Sequence, residues 1–111
     1  MGNQTVVDRF NQTRLYVIIC SPKEGPGGYE AMVRAACEGG ADVLQFRDKL
    51  ITGRERYTAA AKLLKICQKA GVLFIINDAL EVALAIGADG VHLGQDDLPV
   101  AEAKKLQDKI K

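Results

Sequence analysis

The sequence predicts an α/β fold built on parallel strands, and three observations carry that expectation. Short apolar runs rich in β-branched residues alternate with segments of helical apolar spacing, in the order β-α-β-α-β-α-β-α. The strand runs are apolar at nearly every position, as strands covered on both faces must be. Glycines close the helical segments, at Gly39-Gly40, Gly71 and Gly87.

The first run, Leu15-Tyr16-Val17-Ile18-Ile19-Cys20, reads as a strand closed by Ser21-Pro22 and a Gly/Pro-rich loop through Gly28. Residues 1–14 ahead of it read as a polar N-terminal extension to a domain over 15–111. Tyr29, Met32, Val33 and Ala36 fall on one helical face, predicting a helix over 29–38. A second apolar run leads from Asp42 to Phe46. Thr52-Gly53-Arg54-Glu55 then forms a capping box opening a long helix, with Tyr57, Ala60, Ala61, Leu64 and Cys67 as its expected buried face. Val72 to Ile76 is the clearest strand, and the stretch from Leu80 to Ile86 is helical up to Gly87. Gly90 to Gly94 is the fourth strand, and Pro99 starts a last helix with Ala103, Leu106 and Ile110 aligned. Gly40-Ala41-Asp42-Val43-Leu44-Gln45 and Gly87-Ala88-Asp89-Gly90-Val91-His92 both lead from a helix into a strand, which marks an internal repeat of two βα units.

Composition excludes several classes. A chain of 111 residues with 48% hydrophobic content makes one globular domain at most, and a net charge of +1 gives no field for non-specific nucleic-acid or membrane binding. Cys20, Cys37 and Cys67 are too few and too widely spaced for a zinc site or a disulfide framework, so they are expected to be reduced core residues. No apolar run reaches the length of a membrane span and no secretory leader is legible, so the cytoplasm is the expected location.

In a parallel α/β sheet ligands bind where strands end, so the residues just after each apolar run matter most. Ser21 to Lys23 reads as a plain loop. In Gln45-Phe46-Arg47-Asp48-Lys49, period-2 alternation places Gln45, Arg47 and Lys49 on one side and Phe46 and Asp48 on the other. A guanidinium, an ammonium and an amide on one side suit a phosphate or pyrophosphate, or are solvated charges at a strand end. Asp78 and Asp97 follow two different strands, and either share one hard cation such as magnesium or cap the helices that follow them. Asn77 donates to a phosphate oxygen or satisfies its own turn. His92 is the single histidine, too few for a histidine metal site or a Ser-His-Asp triad, and is expected to be buried and hydrogen-bonded. Cys20 has no activating partner nearby in sequence, and no nucleotide-binding glycine motif is present.

Four segments in this order carry a resemblance: Leu15-Tyr16, Gln45-Phe46-Arg47-Asp48-Lys49, Phe74-Ile75-Ile76-Asn77-Asp78, and Gly87 through Pro99. Together they resemble the thiamine-phosphate synthase family over residues 15–111. That family is a TIM barrel that joins a hydroxymethylpyrimidine diphosphate to a thiazole phosphate and releases pyrophosphate. The resemblance implies a transferase of thiamine biosynthesis. It implies Gln45, Phe46, Arg47, Asp48, Lys49 and Asn77 as contacts to the pyrimidine diphosphate, and Asp78 and Asp97 as Mg2+ ligands. Asp48 stands where the family usually has Glu, and Ala79 where an Arg or an acid is more usual. A full barrel takes about 200 residues or more, so this chain is expected to be a parallel (βα)4 half of a TIM barrel. Its bare edge strands are expected to pair with a second copy or with a complementary C-terminal half-barrel. The alternative is a non-catalytic truncated or regulatory module that binds the diphosphate or a protein partner without turnover.

Overall fold

The computed structural model describes residues 5–21 and 28–110. The loop expected over 22–27, with Pro22 and Lys23, lies outside the described residues. Strands β1 (Tyr16–Ile19), β2 (Val43–Phe46), β3 (Leu73–Asn77) and β4 (Gly90–His92) alternate with helices α2 (Gly28–Glu38), α3 (Gly53–Ala70), α4 (Leu80–Ile86) and α5 (Val100–Ile110). All neighbouring strands pair in parallel, in the sequential order β1-β2-β3-β4. Sequential parallel order is the curl of a barrel wall.

Strand alternation divides the sheet into two unequal faces. Ile19, Leu44, Phe46, Phe74 and Ile76 point to one side and form the main core with Tyr29 and Val33 of α2, Leu63, Leu64 and Cys67 of α3, and Val82 and Ala83 of α4. The other face carries Tyr16 and Ile18, then Val43 and Gln45, then Leu73, Ile75 and Asn77, in pairing register across the strands. Val43, Leu73 and Ile75 are buried there as a small separate cluster. Toward β1 this inner face is open, with Ile18 48% exposed. It is the wall that would line a closed barrel.

Helix starts and stops follow local chemistry. Thr52 and Glu55 exchange capping bonds at the start of α3. Gly71 and Gly87 close α3 and α4 in the left-handed conformation, where a Cβ is unfavourable. The repeated Gly-Ala-Asp has a definite job. The carboxylate of Asp42 accepts the amides of Arg14 and Leu15 at 2.9 and 3.0 Å, fastening the start of β1, and Asp89 accepts the amide of Phe74 at 2.9 Å, fastening the start of β3. These amide bonds hold the Asp42 carboxyl below the usual carboxylate range.

Within the expected N-terminal extension lies a helix, α1 (Val6–Asn11), opened by a capping box between Thr5 and Asp8. Several expectations need correction. On α3, Tyr57 is 49% exposed while Leu63 is buried, because the helix turns Leu63 and Leu64 together onto the sheet. On α5, Ala103 is buried but Leu106 is exposed. The three cysteines are free, yet only Cys67 is buried; Cys37 is intermediate and Cys20 exposed. His92 is exposed at the end of β4, because among the described residues no strand pairs with the outer side of β4.

Candidate active site

The C-terminal strand ends meet around an open cleft of about 350 Å³, lined by Ile18, Gln45, Arg47, Lys49, Asn77, Asp78, His92, and the loop from Gly94 to Asp97. Each strand delivers its residue by alternation and register. Gln45 and Asn77 are inner-facing, and Asn77 pairs with His92 across the β3–β4 ladder. Arg47 follows β2 directly, its amide bonded to the carbonyl of Ile19 at 2.9 Å, so the main chain there still behaves as strand. Both Gln45 and Asn77 are buried polar side chains, 3% and 8% exposed. Nε2 of Gln45 donates to the hydroxyl of Tyr16 at 2.6 Å.

Asp78 sits at φ 66°, the one non-glycine residue with positive φ among the described residues. For an aspartate this costs about 1 kcal/mol of backbone strain. The strain accompanies an abrupt turn: the Asp78 amide still reaches the carbonyl of His92 at 2.9 Å, while its own carbonyl already accepts from Leu80. Asp78 therefore does not cap α4; Ala79 occupies that position, with no side-chain bond. Asp97 likewise turns backward, accepting the Gly94 amide at 2.6 Å. That bond, with a hydrogen bond to Asp78 and the charges of Lys49 and His92, holds the Asp97 carboxyl below its ordinary value.

Of the residues implicated by sequence, the structure brings Gln45, Arg47, Lys49, Asn77, Asp78 and Asp97 to one cleft. It does not bring Phe46 or Asp48. Phe46 is 1% exposed in the helix-side core, its ring edge-on to Tyr29 with centroids 5.0 Å apart. Asp48, 4% exposed, accepts from Ser21 Oγ at 2.7 Å, from the Tyr29 hydroxyl, and from the Leu50 amide at 2.9 Å. Burial raises the Asp48 carboxyl, but the bonds from Tyr29, Ser21 and Leu50 outweigh it and the net shift is downward. Its carbonyl also receives Arg56 Nη2 at 2.7 Å. Phe46 faces away because alternation sends every second residue behind the sheet, while Asp48 borders an adjoining pocket with Lys49, Asn77 and Asp78. Asp48 instead anchors the backbone between Arg47 and Lys49. Tyr16 and Ile18 belong to the inner face without having been singled out for it; the period-2 spacing of the first strand was the available signal.

Among the described residues no group of three or more His, Cys, Asp and Glu side chains could hold a metal by itself. A cation held here would need a ligand's oxygens or water beside Asp78 and Asp97, which suits a hard ion that keeps part of its hydration shell.

A parallel half-barrel with cations, amides and two carboxylates at its strand tips defines a protein of the α/β-barrel class. The chain belongs to the thiamine monophosphate synthase family, whose model matches residues 15–111. It is 55% identical over 75 residues to a thiamine-phosphate synthase of Methanoculleus marisnigri, covering 68% of this chain and 36% of that protein. It is 50% identical over 94 residues to one from Coprothermobacter proteolyticus, covering 84% of this chain and 44% of the relative. The structure of a thiamine phosphate pyrophosphorylase from Pyrococcus furiosus superposes with a TM-score of 0.76 at 37% identity, over 86% of this chain and 46% of that one. The chain thus spans less than half the length of these relatives. No helix among the described residues is long and apolar enough to cross a membrane.

Proposed function

We propose that this chain supplies the pyrimidine-diphosphate side of a thiamine-phosphate synthase site, in the cytoplasm. The reaction breaks the bond between the pyrimidine methylene carbon and the diphosphate oxygen. It forms one to the thiazole nitrogen, giving thiamine phosphate and pyrophosphate. The gathering of Gln45, Arg47, Lys49, Asn77, Asp78 and Asp97 from separate segments onto one cleft supports this reading.

Arg47 and Lys49 offer a planar donor fork and a compact charge to the departing diphosphate, and Asn77 offers an amide donor. Asp78 and Asp97 would hold Mg2+ beside the same oxygens, where it supplies neutralisation of the charge that grows on the leaving group. The thiazole nitrogen attacks with its own lone pair, so no general base is required. Turnover needs the remaining βα units, which close the barrel over the open inner face at Ile18 and pair the outer edges of β1 and β4. A complementary C-terminal half-barrel supplies them in this reading; a second copy would duplicate the diphosphate side.

Calorimetric titration of the chain with pyrophosphate and Mg2+ tests the binding half. Arg47→Ala is expected to cost about 1.5–3 kcal/mol of affinity, the size of one charged hydrogen bond. Unchanged affinity would return Arg47 to a solvated strand-end charge. The chain is then mixed with a separately expressed C-terminal half of a relative and both substrates. Thiamine phosphate formed only in the mixture supports the proposal; binding without product in any combination identifies a non-catalytic module.

A further inference from the structure

Helix α1 lies ahead of the residues that the family model matches, yet it is tied to the inner face of the sheet. A six-residue helix does not persist alone, so whatever holds it matters. Its capping box closes the N-terminal turn. Two contacts then carry it to the sheet. Arg9 Nη2 donates to the carbonyl of Gly71, just before β3, at 2.9 Å. Phe10 stands edge-on to Tyr16, the first residue of β1, with ring centroids 6.3 Å apart and planes at 88°.

Tyr16 is the link to the cleft. Its ring is steadied by Phe10 on one side, and its hydroxyl receives Nε2 of Gln45 at 2.6 Å on the other. Gln45 lies two residues beyond Val43, the register partner of Tyr16, so the bond runs diagonally across the inner face. Gln45 is 3% exposed and lines the cleft. A side-chain amide has two N–H donors and one carbonyl acceptor. With one donor committed to Tyr16, the carbonyl and a single N–H remain for a ligand.

We infer that α1 is a positioning element for the cleft: Phe10 holds the Tyr16 ring, and Tyr16 fixes where Gln45 presents its carboxamide. The chain of contacts runs from a segment outside the matched region to a buried polar group in the site. It deepens the proposed function and rests on it for the identity of the ligand, which would meet Gln45 through the hydrogen-bonding edge of its pyrimidine. The coupling from Phe10 to Gln45 is a property of the fold and is read separately.

The test uses the full chain, with the Gln45 side-chain amide followed by NMR hydrogen exchange. Tyr16→Phe, which deletes only the hydroxyl, is expected to speed exchange about tenfold, as loss of one hydrogen bond would. Phe10→Ala is expected to speed it by a smaller factor in the same direction, Phe10→Tyr to restore it, and Val7→Ala, on the exposed side of the same helix, to leave it unchanged. Unaltered circular dichroism in each variant separates this from unfolding. Parent-like exchange in Phe10→Ala, with fast exchange in Tyr16→Phe, would overturn the role of the helix. In the barrel completed by a relative's C-terminal half, Phe10→Ala raises KM for the pyrimidine diphosphate more than it lowers kcat. Faster exchange with unchanged KM would support the coupling while refuting the substrate reading of the cleft.

Discussion

Asp48→Ala decides whether this carboxylate serves the fold or the ligand. Its three donors are unequal. Ser21 and Leu50 are exposed, so water replaces the carboxylate there and each lost bond costs about 0.5–1 kcal/mol. Tyr29 is 4% exposed, and its stranded hydroxyl adds a desolvation cost of about 1–3 kcal/mol. The loss of about 2–5 kcal/mol is a large part of the roughly 5–15 kcal/mol that holds a domain folded. Asp48→Asn keeps an acceptor for Ser21 and Leu50 and loses mainly the charge assistance at Tyr29, costing about 1–2 kcal/mol. Urea unfolding of Asp48→Asn, Tyr29→Phe and the double variant should show non-additive losses, since both single changes act on the same bond. The pH dependence follows from the same pair. The folded-state carboxyl of Asp48 is lowered, so its contribution is complete above the unfolded value of about 3.9 and is lost as pH falls through the folded value. Tyr29 is shifted upward, by burial first and by Asp48 second, so its contribution is present below the unfolded value of about 10 and fades as pH rises through the folded one. A loss under about 1 kcal/mol for Asp48→Ala, with pyrophosphate affinity abolished, would make Asp48 a ligand contact and refute the anchoring role.

Asp78→Gly should raise stability by relieving the left-handed strain, by about 1 kcal/mol, while abolishing Mg2+-dependent pyrophosphate binding; thermal melts and calorimetry on the same variant read both. A destabilised glycine variant would show that the Asp78 side chain supports the turn. Asp42→Asn should sensitise the chain to denaturant at neutral pH and flatten its acid sensitivity, because the low carboxyl that fastens β1 is gone. Native-state alkylation followed by mass spectrometry should label Cys20 promptly. It should spare Cys67, which is fully buried and whose thiol is pushed up to about 12 by burial and by neighbouring Cys37, until urea is added.

What the sequence disclosed depended on whether a feature was local. Helix α4 was legible to the residue, because an apolar run ended at a glycine that had to be left-handed. Helix α3 was legible from its capping box, but its buried face was not, since the strands it packs on decide between Tyr57 and Leu63. Helix α1 carried its own capping signal in Thr5 and Asp8, yet its contacts to the sheet, Phe10 on Tyr16 and Arg9 on the Gly71 carbonyl, are made with residues distant in sequence or on another strand. At the site, alternation along Gln45 to Lys49 already separated Arg47 and Lys49 from Phe46 and Asp48, whereas the resemblance alone implied the whole segment. Asp78 and Asp97 each looked like a helix cap from position; only the fold shows both lining one cleft.

The paired aspartates that precede β2 and β4 have one more consequence. Each side-chain rivet joins an outer strand to the inner strand beside it, while the central seam between β2 and β3 is stitched at that end by a main-chain bond from Leu73 to Asp42. The two rims of the sheet are therefore stiffened from within, although neither has a strand beyond it among the described residues. The strand spacing at that end is thus fixed by side chains that this chain itself supplies, two short carboxylates acting as the gauge.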